Sequence, residues 1–118
     1  MMKHTILILF LFLSLLCHGQ SYKFFTTDRE LSSSLINKIY QDRNGMIWIA
    51  TEDGLNRYDG AKFITYKHDP ENEYSLCHNY VRVLYEDSKG RLFVGTYNGI
   101  QLYDPETDSF SARAQWED

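Results

Sequence analysis

The chain has 118 residues, 43% of them hydrophobic and 15% aromatic, with 12 Lys and Arg against 16 Asp and Glu for a net charge of −4. That length allows about one small domain, and the absence of any basic run or patch argues against a nucleic-acid partner. Two cysteines and four histidines leave little material for a disulfide framework or a metal cluster.

The first residues set the expected compartment. Lys3 is followed by an apolar stretch from Ile6 to Leu16, interrupted by Ser14, and then by Cys17-His18-Gly19. This is the order of a secretory signal peptide with cleavage after Gly19. The apolar stretch is shorter than the roughly 20 residues a membrane-spanning helix needs. Lipoprotein processing at Cys17 would want a small residue before it, where Leu16 stands. Cleavage leaves 99 residues, with 11 basic against 16 acidic side chains and a single cysteine, Cys77. Nothing in its sequence surroundings activates Cys77, which reads as a spare structural thiol.

The remainder repeats itself. A shift of 45 residues lays Ile39-Tyr-Gln-Asp-Arg-Asn-Gly45 over Leu84-Tyr-Glu-Asp-Ser-Lys-Gly90. It also lays Ile47-Trp-Ile-Ala-Thr51 over Leu92-Phe-Val-Gly-Thr96, and Gly54-Leu-Asn-Arg-Tyr-Asp59 over Gly99-Ile-Gln-Leu-Tyr-Asp104. Between residues 31 and 59 the identities fall at Leu31, Tyr40, Asp42, Gly45, Thr51, Gly54, Tyr58 and Asp59.

Each copy reads as four short strands. Ile36–Tyr40 and Val81–Tyr85 are rich in β-branched and aromatic residues. Asp42–Gly45 and Asp87–Gly90 mark tight hairpins, in which the aspartate accepts from backbone amides and the glycine takes a positive φ. Met46–Thr51 and Arg91–Thr96 are nearly continuous apolar runs, the pattern of strands buried on both faces. Asp53-Gly54 and Asn98-Gly99 are strong hairpin signals ahead of third strands at Leu55–Tyr58 and Ile100–Tyr103. Asp59-Gly60 and Asp104-Pro105 turn the chain again into Lys62–Tyr66 and Ser109–Ala112. No sustained helical period appears after residue 20.

Four antiparallel strands at this spacing make a β-propeller blade. The expected fold is therefore all-β, an incomplete propeller of two four-stranded blades after a signal peptide. The organisation is 1–19 signal peptide, 20–30 orphan outer strand of an absent last blade, 31–75 first blade and 76–118 second blade. The orphan strand is inferred from Tyr22-Lys-Phe-Phe-Thr-Thr27, which is similar to Lys62-Phe-Ile-Thr-Tyr66.

These residues resemble the two-component regulator propeller repeat, whose pattern runs Asp-x-x-Gly, a Trp-containing strand ending in Gly-Thr, then Gly-Leu-x-x-Tyr-Asp. The first copy carries Asp42, Gly45, Trp48, Thr51, Gly54, Leu55, Tyr58 and Asp59 at those places and departs at Ala50. The second restores Gly95 but has Phe93 for tryptophan and Ile100 for leucine. His68–Leu76 is similar to the family's connecting loop. The resemblance covers about residues 22 to 113. It implies the periplasmic sensor of a hybrid two-component histidine kinase, an extracellular carbohydrate as signal, and a chain that is the amino-terminal piece of such a protein. No kinase region is present in this sequence.

The chemistry-bearing residues are read conservatively. Trp48 and Phe93 have the residue type of sugar-stacking platforms, but their place inside apolar strands favours packing between blades. Asp42 and Asp87 each precede their own turn glycine, which favours turn stabilisation over a catalytic carboxylate pair. The Asp59–Gly60 and Asp69–Glu73 stretches lack the alternating oxygen ligands of a calcium loop. His68 and His78 lack further zinc ligands at a usable spacing. Glu52, Asp53, Tyr97 and Asn98 lie in equivalent turns that converge on one rim, the best place to look for a ligand. No catalytic, cofactor-binding or metal-binding residue is assigned, no cofactor is expected, and the ligand-binding residues stay unassigned.

The expected function is a non-catalytic, exported sensor module, periplasmic or otherwise extracytoplasmic. Its expected partners are an oligosaccharide and either the remaining blades of a parent protein or further copies of itself. Two alternatives stand beside it: a fragment of a propeller lyase or hydrolase, and a nonfunctional truncated remnant.

Overall fold

Two Asp-x-x-Gly turns organise the chain. In a computed structural model, which describes residues 30–112, Asp42 closes the first hairpin. Its backbone N–H donates to the Met46 carbonyl at 2.9 Å, and Gly45 N–H returns to the Asp42 carbonyl at 3.0 Å. Gly45 takes φ +86° and Gly90, 45 residues on, takes +80°, the left-handed conformation that costs a side-chain-bearing residue and not glycine. Around these turns lie β1 (Ile36–Gln41), β2 (Ile47–Thr51), β3 (Gly54–Tyr58) and β4 (Phe63–Tyr66). The second copy forms β5 (Val81–Glu86), β6 (Leu92–Thr96), β7 (Gly99–Asp104) and β8 (Ser109–Phe110).

Each copy is one antiparallel four-stranded sheet in chain order, β1-β2-β3-β4 and β5-β6-β7-β8. The strands agree with the sequence pattern to within a residue or so at most ends, the last one being shorter. Both inner pairs carry an irregularity at the same place, between Ile36 and Lys38 and between Val81 and Val83. The all-β fold with two four-stranded blades is thus as expected. The signal peptide and nearly all of the orphan strand lie outside the described residues.

The blades pack face to face. Trp48, Ala50 and Leu55 of the first meet Val81, Leu84, Leu92, Val94, Tyr103 and Phe110 of the second in one buried cluster. Alternation along a strand decides which side chains take part. In β6, Leu92 and Val94 turn into the cluster, while Phe93 and Gly95 lie on the opposite face. This departs from the expectation of two covered faces for the second strands. β2 is buried almost throughout, but β6 has one face only partly covered.

The linkers ahead of the blades are pinned by buried amides. Asn56 is fully buried on β3; its carboxamide oxygen accepts from Ser32 N–H at 3.3 Å and its NH₂ donates to Ser32 Oγ at 2.9 Å. Gln101 repeats this on β7, accepting from Cys77 N–H at 2.8 Å and donating to the Ser75 and Ser111 carbonyls at 2.9 Å. Burying a carboxamide is costly unless its donors and acceptors are matched, and here they are. Cys77 stands in Ser32's place, its sulfur 3.1 Å from Thr96 Oγ1 as Ser32 Oγ is 3.2 Å from Thr51 Oγ1. Cys77→Ser should therefore leave the melting temperature nearly unchanged; a loss of several degrees would show that the thiol does something a hydroxyl cannot.

Candidate functional site

The turns between second and third strands do converge, together with the segment entering β5. Tyr80 links them. Its hydroxyl donates to Glu52 Oε1 at 3.0 Å, reaching back to the first blade's turn. Its ring lies flat on Tyr97 of the second blade's turn, with centroids 4.1 Å apart and planes 13° from parallel. Tyr97 N–H donates to the Tyr80 carbonyl at 3.3 Å. His78 meets Tyr97 edge-on at 5.8 Å, and the Arg82 guanidinium sits 5.1 Å from the Tyr97 ring centre. Tyr97 nonetheless remains 56% exposed. The Tyr97 hydroxyl and then Glu52 push the Tyr80 phenol up to about 12, so it stays protonated as a donor.

Of the four rim residues singled out in the sequence, the structure joins Glu52 and Tyr97 through Tyr80. The other two hold loops. Asp53 Oδ2 accepts from Lys67 Nζ at 3.0 Å, and the Asn98 amide donates to the Cys77 carbonyl at 3.0 Å. Tyr80 and Arg82 were not singled out. Arg82 sits at the irregularity in β5, between Val81 and Val83, and nothing short of the strand register shows that its side chain reaches the rim.

The remaining candidates fall where packing and turns need them. Asp42 Oδ1 accepts from Asn44 and Met46 N–H at 2.9 and 3.0 Å, and its other oxygen accepts from the Trp48 indole at 2.9 Å. Asp87 Oδ1 repeats the turn with Lys89 and Arg91 N–H, but its second oxygen takes Arg91 Nε at 2.6 Å. The Phe93 side chain has no N–H to match the Trp48 indole, and the Arg91 guanidinium supplies the donor instead. Asp59 accepts from Ala61 and Lys62 N–H, and Asp69 from Glu71 N–H. The amides of Lys62 and Ala61 hold the Asp59 carboxyl below its usual range. His68 Nδ1 lies 2.7 Å from the Leu76 carbonyl, and His78 Nδ1 accepts from Tyr80 N–H at 2.9 Å. Among the described residues no three metal-ligating side chains cluster.

Trp48 is 1% exposed, with Tyr103 of the second blade against it edge-on at 4.8 Å. Above them Arg57 donates to Tyr103 Oη at 2.6 Å and pairs with Asp108 at 3.5 Å, while the Tyr66 hydroxyl donates to Asp108 at 2.5 Å. Desolvation and then the bond to Asp108 push the Tyr66 phenol well above its ordinary value of 10. A raised folded value means that this stability is complete below pH 10 and is lost as pH rises beyond it. The melting temperature should fall above that point, and Tyr66→Phe should flatten the fall in an alkaline series. An unchanged slope would remove Tyr66 as a cause.

A model of the two component regulator propeller matches residues 30–53 and 75–98, one stretch in each blade. The chain carries two-component regulator propeller repeats. Solved structures similar to it include extracellular domains of bacterial regulatory systems. One, the extracellular domain assigned to a hybrid two component system of B. thetaiotaomicron, is 34% identical with a TM-score of 0.67, covering 76% of this chain and 13% of that one. Another, the extracellular domain assigned to a one component system of the same organism, is 25% identical with a TM-score of 0.63, covering 79% and 14%. Histidine kinase P4 of Formosa agariphila is 41% identical over 73 residues, which is 58% of this chain and 5% of that kinase. The chain thus spans a small part of each relative. No helix among the described residues is long and apolar enough to cross a membrane. In these propeller repeats, then, both turn aspartates serve the hairpin and the strand behind it.

Proposed function

We propose that these two blades, residues 31–75 and 76–118, belong to an exported, extracytoplasmic sensor domain of a two-component system and bind an oligosaccharide without transforming it. The export reading rests on the signal-peptide pattern of residues 1–19, and the sensor reading on the likeness to the extracellular domain assigned to a hybrid two component system and to Histidine kinase P4. The observation that carries the ligand reading is the Tyr80–Tyr97 stack at the rim. It combines an exposed aromatic ring, a carboxylate acceptor at Glu52 and a guanidinium donor at Arg82. A sugar offers C–H groups for the ring and hydroxyls for the charged groups, and fixing it takes only a few convergent polar side chains. The non-transforming reading is supported by Asp42 and Asp87, both of whose carboxylate oxygens are committed to backbone amides and neighbouring side chains.

Titration of the full chain with a panel of neutral and uronic oligosaccharides tests this. At least one should bind, and Tyr97→Ala should weaken it by about tenfold or more, about 1.4 kcal/mol, with a far smaller fall in melting temperature than Trp48→Ala gives. A chain that binds no member, or a Tyr97→Ala variant that binds equally well, would sink the proposal.

A further inference from the structure

The two blades build the same rim turn with different side chains. In the first, Glu52 N–H donates to the Leu35 carbonyl at 3.0 Å; in the second, Tyr97 N–H donates to the Tyr80 carbonyl at 3.3 Å. The same shift of 45 residues lays Asn37 over Arg82. Leu35, Asn37 and Glu52 thus show what the turn needs, and it needs neither a pair of stacked rings nor a cation. Asn37 spends its amide on the Val81 carbonyl at 2.8 Å, a bond between the blades. Arg82 instead lies over the Tyr97 ring, 5.1 Å from its centre. It also differs from the other described arginines. Arg43, Arg57 and Arg91 pair with Glu86, Asp108 and Asp87 at 4.0, 3.5 and 2.6 Å. Arg82 is exposed, and no acceptor among the described residues is hydrogen-bonded to it. A guanidinium held over an aromatic face keeps its donors free for an anion, in the fork that fits a carboxylate.

We infer that the rim takes an acidic sugar, a uronic acid unit that lies against Tyr97 and places its carboxylate on the Arg82 guanidinium. This rests on the oligosaccharide reading of the rim and adds the charge of the ligand. Glu52 sets the orientation. Its carboxylate already takes the Tyr80 hydroxyl at 3.0 Å; it repels a second carboxylate and accepts from sugar hydroxyls. The acidic end of the sugar is therefore directed to Arg82 and a hydroxyl-bearing edge to Glu52. Other cations near the rim are occupied. Lys67 is paired with Asp53 at 3.0 Å, and His78 Nδ1 is engaged as an acceptor from Tyr80 N–H at 2.9 Å. The chain's net charge of −4 gives an anion no general attraction. A preference for the acid must then come from the fork at Arg82.

Calorimetric titration of the full chain compares galacturonic, glucuronic and mannuronic trisaccharides with their carboxyl-reduced, neutral counterparts. In at least one pair the acid should bind about tenfold tighter than the neutral sugar, the scale of a charge-assisted contact. Arg82→Gln should erase that preference, lowering the affinity for the acid and leaving the neutral sugar as it was. Arg82→Lys keeps the charge without the fork and should keep only part of the preference. Tyr97→Ala, by contrast, should weaken both members of a pair, which separates the ring from the cation. Both Arg82 variants should melt close to the parent, because the side chain is exposed and bonds to no acceptor among the described residues. Neutral sugars that bind as well as the acids would overturn the inference and leave oligosaccharide binding standing. A preference for the acid that survives Arg82→Gln would overturn it too. A chain that binds none of these sugars, acid or neutral, loses both readings.

Discussion

Trp48→Ala unfolds the protein or comes close to it. The side chain is 1% exposed, packs on Tyr66 and Tyr103, and lies in the buried apolar cluster that joins the two blades. Truncating a buried aromatic costs about 3–5 kcal/mol, against a total of roughly 5–15 kcal/mol for an ordinary domain. The indole N–H also serves Asp42 Oδ2, so the truncation leaves a carboxylate oxygen short of a donor at the turn. Trp48→Phe, the residue type the second copy has at Phe93, separates the two effects: it keeps most of the packing and loses the bond. Thermal melting of both variants decides. A Trp48→Ala variant as stable as the parent, with oligosaccharide binding lost, would mean that Trp48 is a ligand platform and not a packing residue.

Gly54→Ala is expected to be the most damaging glycine substitution in the first blade. Gly54 takes φ +118°, and a Cβ there would stand 2.8 Å from the Tyr66 backbone carbonyl oxygen, which has no freedom to move aside. Its N–H also donates to the Asn79 carbonyl at 2.6 Å, a bond between the first hairpin and the segment entering the second blade. Backbone strain alone contributes about 1–3 kcal/mol, and the clash adds to it. Gly45→Ala is the control. Its φ is also positive, at +86°, but nothing lies within 4 Å of the added carbon, so only the strain should appear. If denaturant titrations give the two variants equal losses, the close approach at Gly54 is not what makes glycine necessary there.

Much of the blade was legible because its signals are local. An aspartate three residues before a glycine makes the same turn at Asp42 and at Asp87, and Asp-Gly and Asn-Gly make the next one. The unread parts depend on residues far apart in the chain. Asn56 follows the buried Leu55, and Gln101 stands between partly exposed neighbours on β7, so nothing in either strand's local pattern marks its amide as buried. The clue was that both copies carry an amide at the same place. Arg57 and Asp108 are 51 positions apart and meet only once both sheets are stacked. The rim stack went unread for the same reason. Tyr80 lies outside the strongest repeat matches, and its alignment with Tyr97 follows from the path of the linker. Phe93 shows the reverse case: it occupies Trp48's place in the repeat, as read, but the face it lies on is only partly covered among the described residues, so the expected packing between blades is not seen there.

The buried amides also define where this protein can be cut. Gln101, on the third strand of its sheet, is satisfied by Ser75 and Cys77, which precede the first strand, and Phe110 N–H donates to the Tyr74 carbonyl at 2.9 Å. The transplantable module therefore begins ahead of Tyr74, not at Val81 where the sheet starts. A graft that kept β5 to β8 but exchanged the preceding segment would strand a carboxamide in an apolar interior. Shuffling blades between relatives should succeed when the connecting loop travels with the blade that follows it, and fail when it is left with the blade before.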